Sequence, residues 1–160
     1  MVAIAKYLYA ISYSEFYKKE DWQGWADDQI MKKDPIEMWI YDVSLANTFS
    51  ELREVLNNKM IDEDYHKIDT SPITDAILGY YFLMYKDNKL SPYVLLEKSG
   101  DAVDNGSGAS EDCEFFYEKL NEIDRNQQLL HDKGYLKMID DIYVGFMGLA
   151  LSQKQIIENY

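Results

Sequence analysis

The chain has 160 residues, 47% of them hydrophobic, which is enough for one domain with one core. Its 29 Asp and Glu against 16 Lys and Arg give a net charge of -13, which repels nucleic-acid phosphates and anionic lipid headgroups alike. The single cysteine, Cys113, excludes an internal disulfide, and the opening VAIAKYLYAISYSEF has neither a basic n-region nor a small-residue cleavage site, so a cytoplasmic location is expected.

The elements read as helices throughout. Ile4, Tyr7, Leu8 and Ile11 fit one side of a first short helix, with Tyr13, Phe16 and Tyr17 continuing it or packing in the turn beyond. Asp21 precedes an amphipathic helix with Trp22, Trp25, Ala26, Gln29 and Ile30 on one side and Asp27, Asp28, Lys32 and Lys33 on the other. Asp34-Pro35 closes it and opens the next helix, with Asp34 as cap and Pro35 at the first position, buried through Ile36, Trp39, Ile40 and Val43. Thr48 and Glu51 have capping-box spacing and start a fourth helix through Leu52, Val55 and Leu56, ending near Asn57-Asn58. Residues 59–70 are polar and acid-rich, and predict an irregular connection pinned by Ile61, Tyr65 and Ile68.

The stretch 72–86 is expected to be the central buried helix. Ser71 is its predicted cap, Pro72 its first residue, and Asp75 lies in the first turn, where the helix dipole favours a negative charge. Beyond them apolar residues fall on every side, as in a buried helix, and the run closes at Lys86, too early for a membrane span of about 20 residues. Ser91-Pro92 repeats the start signal for a short helix predicted to stop at Gly100, a suitable left-handed terminal residue. Asp101 to Ser110 has no apolar periodicity and reads as a loop, after which Ser110 caps a helix with Glu111, Asp112 and Glu114 in its first turn and Phe115, Phe116, Leu120 and Ile123 on its apolar side. Helices around 126–133 and 135–149 follow, provided that Gly134, Gly145 and Gly148 are tolerated. Ser152 to Gln155 forms another capping-box pattern for a last short helix. No alternating strand pattern and no solenoid repeat appear, so the expected fold is all-α, a single domain over 1–160 of about seven to nine short helices around 72–86.

Motifs for chemistry are sparse. Asp101, Asn105, Gly106 and Asp112 match a calcium loop, but Val103 brings no oxygen and Asp112 stands where a glutamate is wanted. Gly106-Ser107-Gly108 lacks the Lys-Ser/Thr pair of a phosphate cradle. His66 and His131 have no zinc spacing, and Cys113, flanked by acids, reads as a buried structural thiol. Asp27-Asp28 and Asp140-Asp141 are adjacent pairs, which a helix splays about 100 degrees apart, so neither makes a general acid and base of the usual convergent kind. Trp22, Trp25 and Trp39 lie on apolar stripes and read as core. No catalytic residue, metal ligand or cofactor is assigned. The competing reading, a metal-binding or enzymatic helical domain, would use the acidic clusters; a regulatory or scaffold protein is the third.

Glu20 to Ile30, Asp34 to Ala46, Ile77 to Asp101 and Glu111 to Ile123 together resemble a small bacterial family, long catalogued as a domain of unknown function, whose members look like immunity proteins of polymorphic toxin systems. The resemblance covers about residues 20 to 125 and consists of helix-packing and capping patterns without a catalytic signature. It implies neutralisation of a cognate toxin by direct binding, and the acidic, Tyr-rich chain suits a toxin domain with a basic surface. The partner site is placed on Asp101, Asp104, Glu111, Asp112 and Glu114, where a loop between stable helices concentrates charge that the fold does not require. The simpler use of those acids is to offset the helix dipole and keep the loop solvated.

Overall fold

The computed structural model of the chain describes residues 2–106 and 108–160, and among these there are eight α-helices, one 3-10 helix and no strand. The chain divides into two compact units, residues 1–71 with 153–160 and residues 72–152.

The first unit contains α1 (Ile4–Tyr13), α2 (Lys19–Lys32), α3 (Met38–Leu45) and α4 (Phe49–Tyr65), with the end of the last helix of the chain. Eight of the ten α1 residues are buried, so α1 is the inner helix of this unit. Its N-cap, Ala3, has no side chain to offer the first free N–H groups. Glu63 of α4 supplies what is missing: its carboxylate, buried with the side chain, accepts from the N–H of Ala5 at 2.9 Å and of Lys6 at 3.2 Å. This contact explains why α4 runs on to Tyr65 where an irregular connection over 59–70 is predicted. The inward face continues from Leu52 and Leu56 to Glu63, and a glutamate at that position breaks the apolar pattern while completing the packing. Ile61 and Tyr65, the predicted pins, are instead 69% and 83% exposed.

The capping box at the start of α4 forms as its spacing predicts, with Thr48 Oγ1 accepting from Glu51 N–H at 3.2 Å and Glu51 Oε2 accepting from Thr48 N–H at 3.3 Å. α3 begins three residues later than the Asp34-Pro35 signal suggests, with Glu37 at the N-cap. Trp22 and Trp25 are core residues, their indole N–H groups donating to the carbonyls of Ala46 and Ile157 at 3.1 Å each.

The second unit holds α5 (Ile73–Lys86), α6 (Pro92–Asn105), α7 (Cys113–Arg125), the 3-10 helix Gln127–His131 and α8 (Lys133–Glu158) as far as Ser152. Every residue from Thr74 to Phe82 is buried, so α5 is the inner helix its all-round apolarity predicts. It starts one residue late, with Pro72 at the N-cap, while the Ser71 N–H donates to Asp69. Phe82 stacks on Tyr143 at 5.2 Å between ring centroids. The Tyr143 hydroxyl lies 2.6 Å from Ser99 Oγ, which itself donates to the Leu95 carbonyl at 2.7 Å. Burial, partly offset by this hydrogen bond, raises the Tyr143 pKa above the ordinary phenol value.

The 126–133 segment forms a five-residue 3-10 helix, and the two last predicted helices are one helix of 26 residues. Asp132 opens it, its Oδ1 accepting from the Tyr135 N–H at 2.7 Å. The Ser152 to Gln155 pattern falls inside α8, where Gln153 is buried.

Candidate functional site

The acids placed at the partner site by sequence lie on two helices and their connection. Asp101 and Asp104 belong to α6, because that helix passes Gly100 and ends at Asn105. Gly100 serves packing rather than termination: a Cβ there would stand 2.6 Å from Cε1 of Tyr117 on α7. The predicted loop is thereby reduced to the residues after Asn105, of which Ser107 lies outside the described residues. The calcium-loop pattern fails on the same ground, since Asp101, Val103 and Asn105 sit on a helix and do not wrap a common centre.

Ser110 does not cap α7. Its N–H and hydroxyl both donate to the buried Asp75 carboxylate in the first turn of α5, the N–H at 2.9 Å, and Asp112 takes the N-cap position without a side-chain bond. Glu111 and Asp112 therefore precede α7, and Glu114 alone of the five acids is in its first turn. The packing of α6 on α7 brings Asp101 and Asp104 beside them. The Tyr117 hydroxyl donates to Asp101 Oδ1 at 2.9 Å, and the Cys113 thiol points at Asp104 Oδ1 from 3.8 Å. The hydrogen bond to Asp101, then desolvation, then the charges of Asp101 and Asp104 push the Tyr117 phenol up to about 12. Cys113 is half-buried, not the fully buried thiol expected. The five residues thus form one acidic patch, exposed apart from half-buried Glu111, and none of them is in an ion pair among the described residues. No strongly exposed large apolar side chain lies within α6 or α7.

The first unit presents a second acidic surface of different character. α3 and α4 border an open groove of about 620 Å³, lined on the α3 side by Trp39, Asp42, Leu45 and Ala46. Its α4 wall is built from Glu51, Glu54, Val55, Asn58, Lys59 and Asp62, positions that recur every three or four residues on one helix face. Lys59 is the one base in this lining, and it is already bound to Glu37 at 2.7 Å and paired with Asp62 of the same lining at 3.8 Å. Trp39 Nε1 donates to the same Glu37 carboxylate at 3.0 Å. The Lys59 hydrogen bond, partly opposed by desolvation, holds Glu37 below the ordinary carboxyl pKa. Desolvation on its own would lower the Lys59 pKa; the bond to Glu37 and the surrounding acids outweigh it and raise it.

Around this groove the surface is apolar as well as acidic. Met38, Tyr41 and Leu45, spaced at three and four residues along α3, are 72%, 39% and 72% exposed, while Ile40 and Val43 face inward. Ile61 and Tyr65 extend the α4 face past Asn58. Of the stripe expected to be buried, Ile36, Trp39, Ile40 and Val43, only Ile40 and Val43 are; Ile36 and Trp39 are half-buried, Trp39 lining the groove rather than the core, while Met38, Tyr41 and Leu45 make a second apolar stripe that faces outward. Among the described residues no three His, Cys, Asp or Glu side chains are grouped to hold a metal ion, and no helix is long and apolar enough to cross a membrane.

Comparison of the chain with protein-family models, with curated proteins and with solved structures yields no match.

Proposed function

We propose that this chain is an immunity protein, which neutralises a cognate bacterial toxin by binding a basic surface on it, acting in the cytoplasm and without catalysis. The resemblance of Glu20 to Ile30, Asp34 to Ala46, Ile77 to Asp101 and Glu111 to Ile123 to such a family suggested the class. The observation that carries it further is the α3–α4 face, where Asp42 and Glu54, in no ion pair or side-chain hydrogen bond among the described residues, stand beside exposed Met38 and Leu45. Solubility accounts for exposed acids but not for large apolar side chains gathered among them, whereas a protein interface needs both: apolar area for affinity and charge for steering. The acidic patch of α6 and α7 adds field without apolar area, which suits a role in drawing a basic partner in.

The test is genetic and direct. The neighbouring reading frame is expected to encode a toxin-like protein with a basic domain, whose arrest of growth is relieved when this chain is co-expressed. Absence of such a reading frame, or arrest that persists with the chain present, contradicts the proposal.

A further inference from the structure

We infer that the α3–α4 groove is the docking site for a helical segment of a partner protein, amphipathic, with Lys or Arg on its polar side and aliphatic residues on the other. This rests on the reading of the chain as a binder of a basic protein and names the part of the partner that enters. Three features of the groove select that occupant.

The first is its form. Glu51, Glu54, Asn58 and Asp62 run along one face of α4, from the first to the last of them 11 steps along the helix, about 16 Å at the helical rise of about 1.5 Å per residue. That matches three turns of a helix laid along the groove, and two helices that already pack together offer the ridges against which a third can lie. The second is charge. Lys59 is shared between Glu37 and Asp62, so Asp42 and Glu54, in no ion pair among the described residues, leave the groove negative; an acidic segment would bury like charge against them and a neutral one would bury them uncompensated. The third is the apolar component. Leu45 lines the groove at 72% exposure and Met38 and Tyr41 continue its stripe, so a purely polar basic strand would leave them uncovered where an amphipathic helix covers them. The α6–α7 patch has the charge alone, and is not assigned an occupant.

Two synthetic 14-residue helical peptides test this without knowledge of the toxin: one of Leu and Lys in amphipathic order, and its counterpart with Glu in place of every Lys. Binding to the full chain is followed by tryptophan fluorescence and by amide chemical shifts at an ionic strength of about 0.15 M, where weak surface attraction is largely screened. The Lys peptide is expected to saturate, to shift resonances of Trp39, Leu45, Glu54 and Asn58, and to leave those of Asp101 to Glu114 in place; the Glu peptide is expected not to bind. Asp42→Lys with Glu54→Lys should weaken the Lys peptide by about tenfold or more, as for reversal of close interfacial charges. Leu45→Asp should weaken it as well, while Asp101→Lys with Asp104→Lys and Asp112→Lys should not. Lack of saturation, shifts centred on α6 and α7, or binding indifferent to the groove variants would overturn the inference. The wild-type shift map decides the matter even if a variant folds poorly. A chain that relieves toxin arrest in cells but fails these tests keeps the immunity reading and loses the groove. A groove that binds the peptide in a chain that relieves no arrest keeps the docking site and loses the toxin.

Discussion

Glu63 is the side chain on which the first unit depends most visibly. A carboxylate 3% exposed would be costly alone, yet here it accepts two N–H groups at the start of α1 and offsets the positive end of that helix. Desolvation outweighs those two bonds and the Lys59 charge, so the Glu63 pKa lies above its ordinary value. The sign of the consequence is fixed: the folded chain holds this proton more firmly than the unfolded chain, so the contribution is full below the unfolded carboxyl pKa and is lost as pH rises through the folded one. Glu63→Ala leaves two buried N–H groups without an acceptor, at about 1 to 3 kcal/mol each, and should lower stability in urea by about 2 kcal/mol or more. Glu63→Gln keeps one acceptor and should cost less. The stability of the wild type relative to Glu63→Gln is expected to decline between pH 4 and pH 7; a relative stability that rises over that range would show that the carboxyl is depressed instead.

Glycines separate the helices that must touch from those that need not. A Cβ at Gly79 of α5 would lie 2.1 Å from the Phe146 carbonyl oxygen and 2.7 Å from the Ala150 Cβ, so α5 and α8 cross there backbone to backbone. At Gly148, on the same α8, a Cβ meets nothing within 4 Å. Gly79→Ala should therefore destabilise by about 1 to 3 kcal/mol through overpacking, whereas Gly148→Ala should stabilise by up to about 1 kcal/mol through helix propensity. Thermal melts of the two variants that move in the same direction would contradict the assignment. These residues also mark where the elements could be read from the chain and where they could not. Thr48 with Glu51 and Ser91 with Pro92 announce helix starts because capping is local, a contact between residues three apart. Gly100 reads equally well as a stop signal or as a space for a neighbour, and only the Tyr117 ring decides between them. Ser110 likewise looks like a cap until the buried Asp75, 35 residues earlier, takes both of its donors. The extension of α4 to Tyr65 was hidden for the same reason, since its inward residue is Glu63 and its acceptor role is met on α1. The acids of the α6–α7 patch were legible as a cluster in sequence; the groove was not, because it needs α3 laid against α4.

At the scale of the whole molecule the dominant property is charge, 29 acids against 16 bases, and the proposed function gives it a use in attracting a partner of opposite sign. On the proposed reading, long-range attraction of that kind would set the rate of encounter, and close apolar contact at the groove would set how long the complex lasts. Stopped-flow association of the chain with the toxin-like protein expected from the neighbouring reading frame, over ionic strengths from about 0.05 to about 0.5 M, therefore tests the account most directly. The predicted result is an association rate that falls steeply as salt is added, a shallower dependence when the α6–α7 acids are reversed to Lys, and faster dissociation when Leu45 is replaced by Asp. An association rate unmoved by salt and by these substitutions would contradict the claim that an acidic surface of this chain captures a basic toxin.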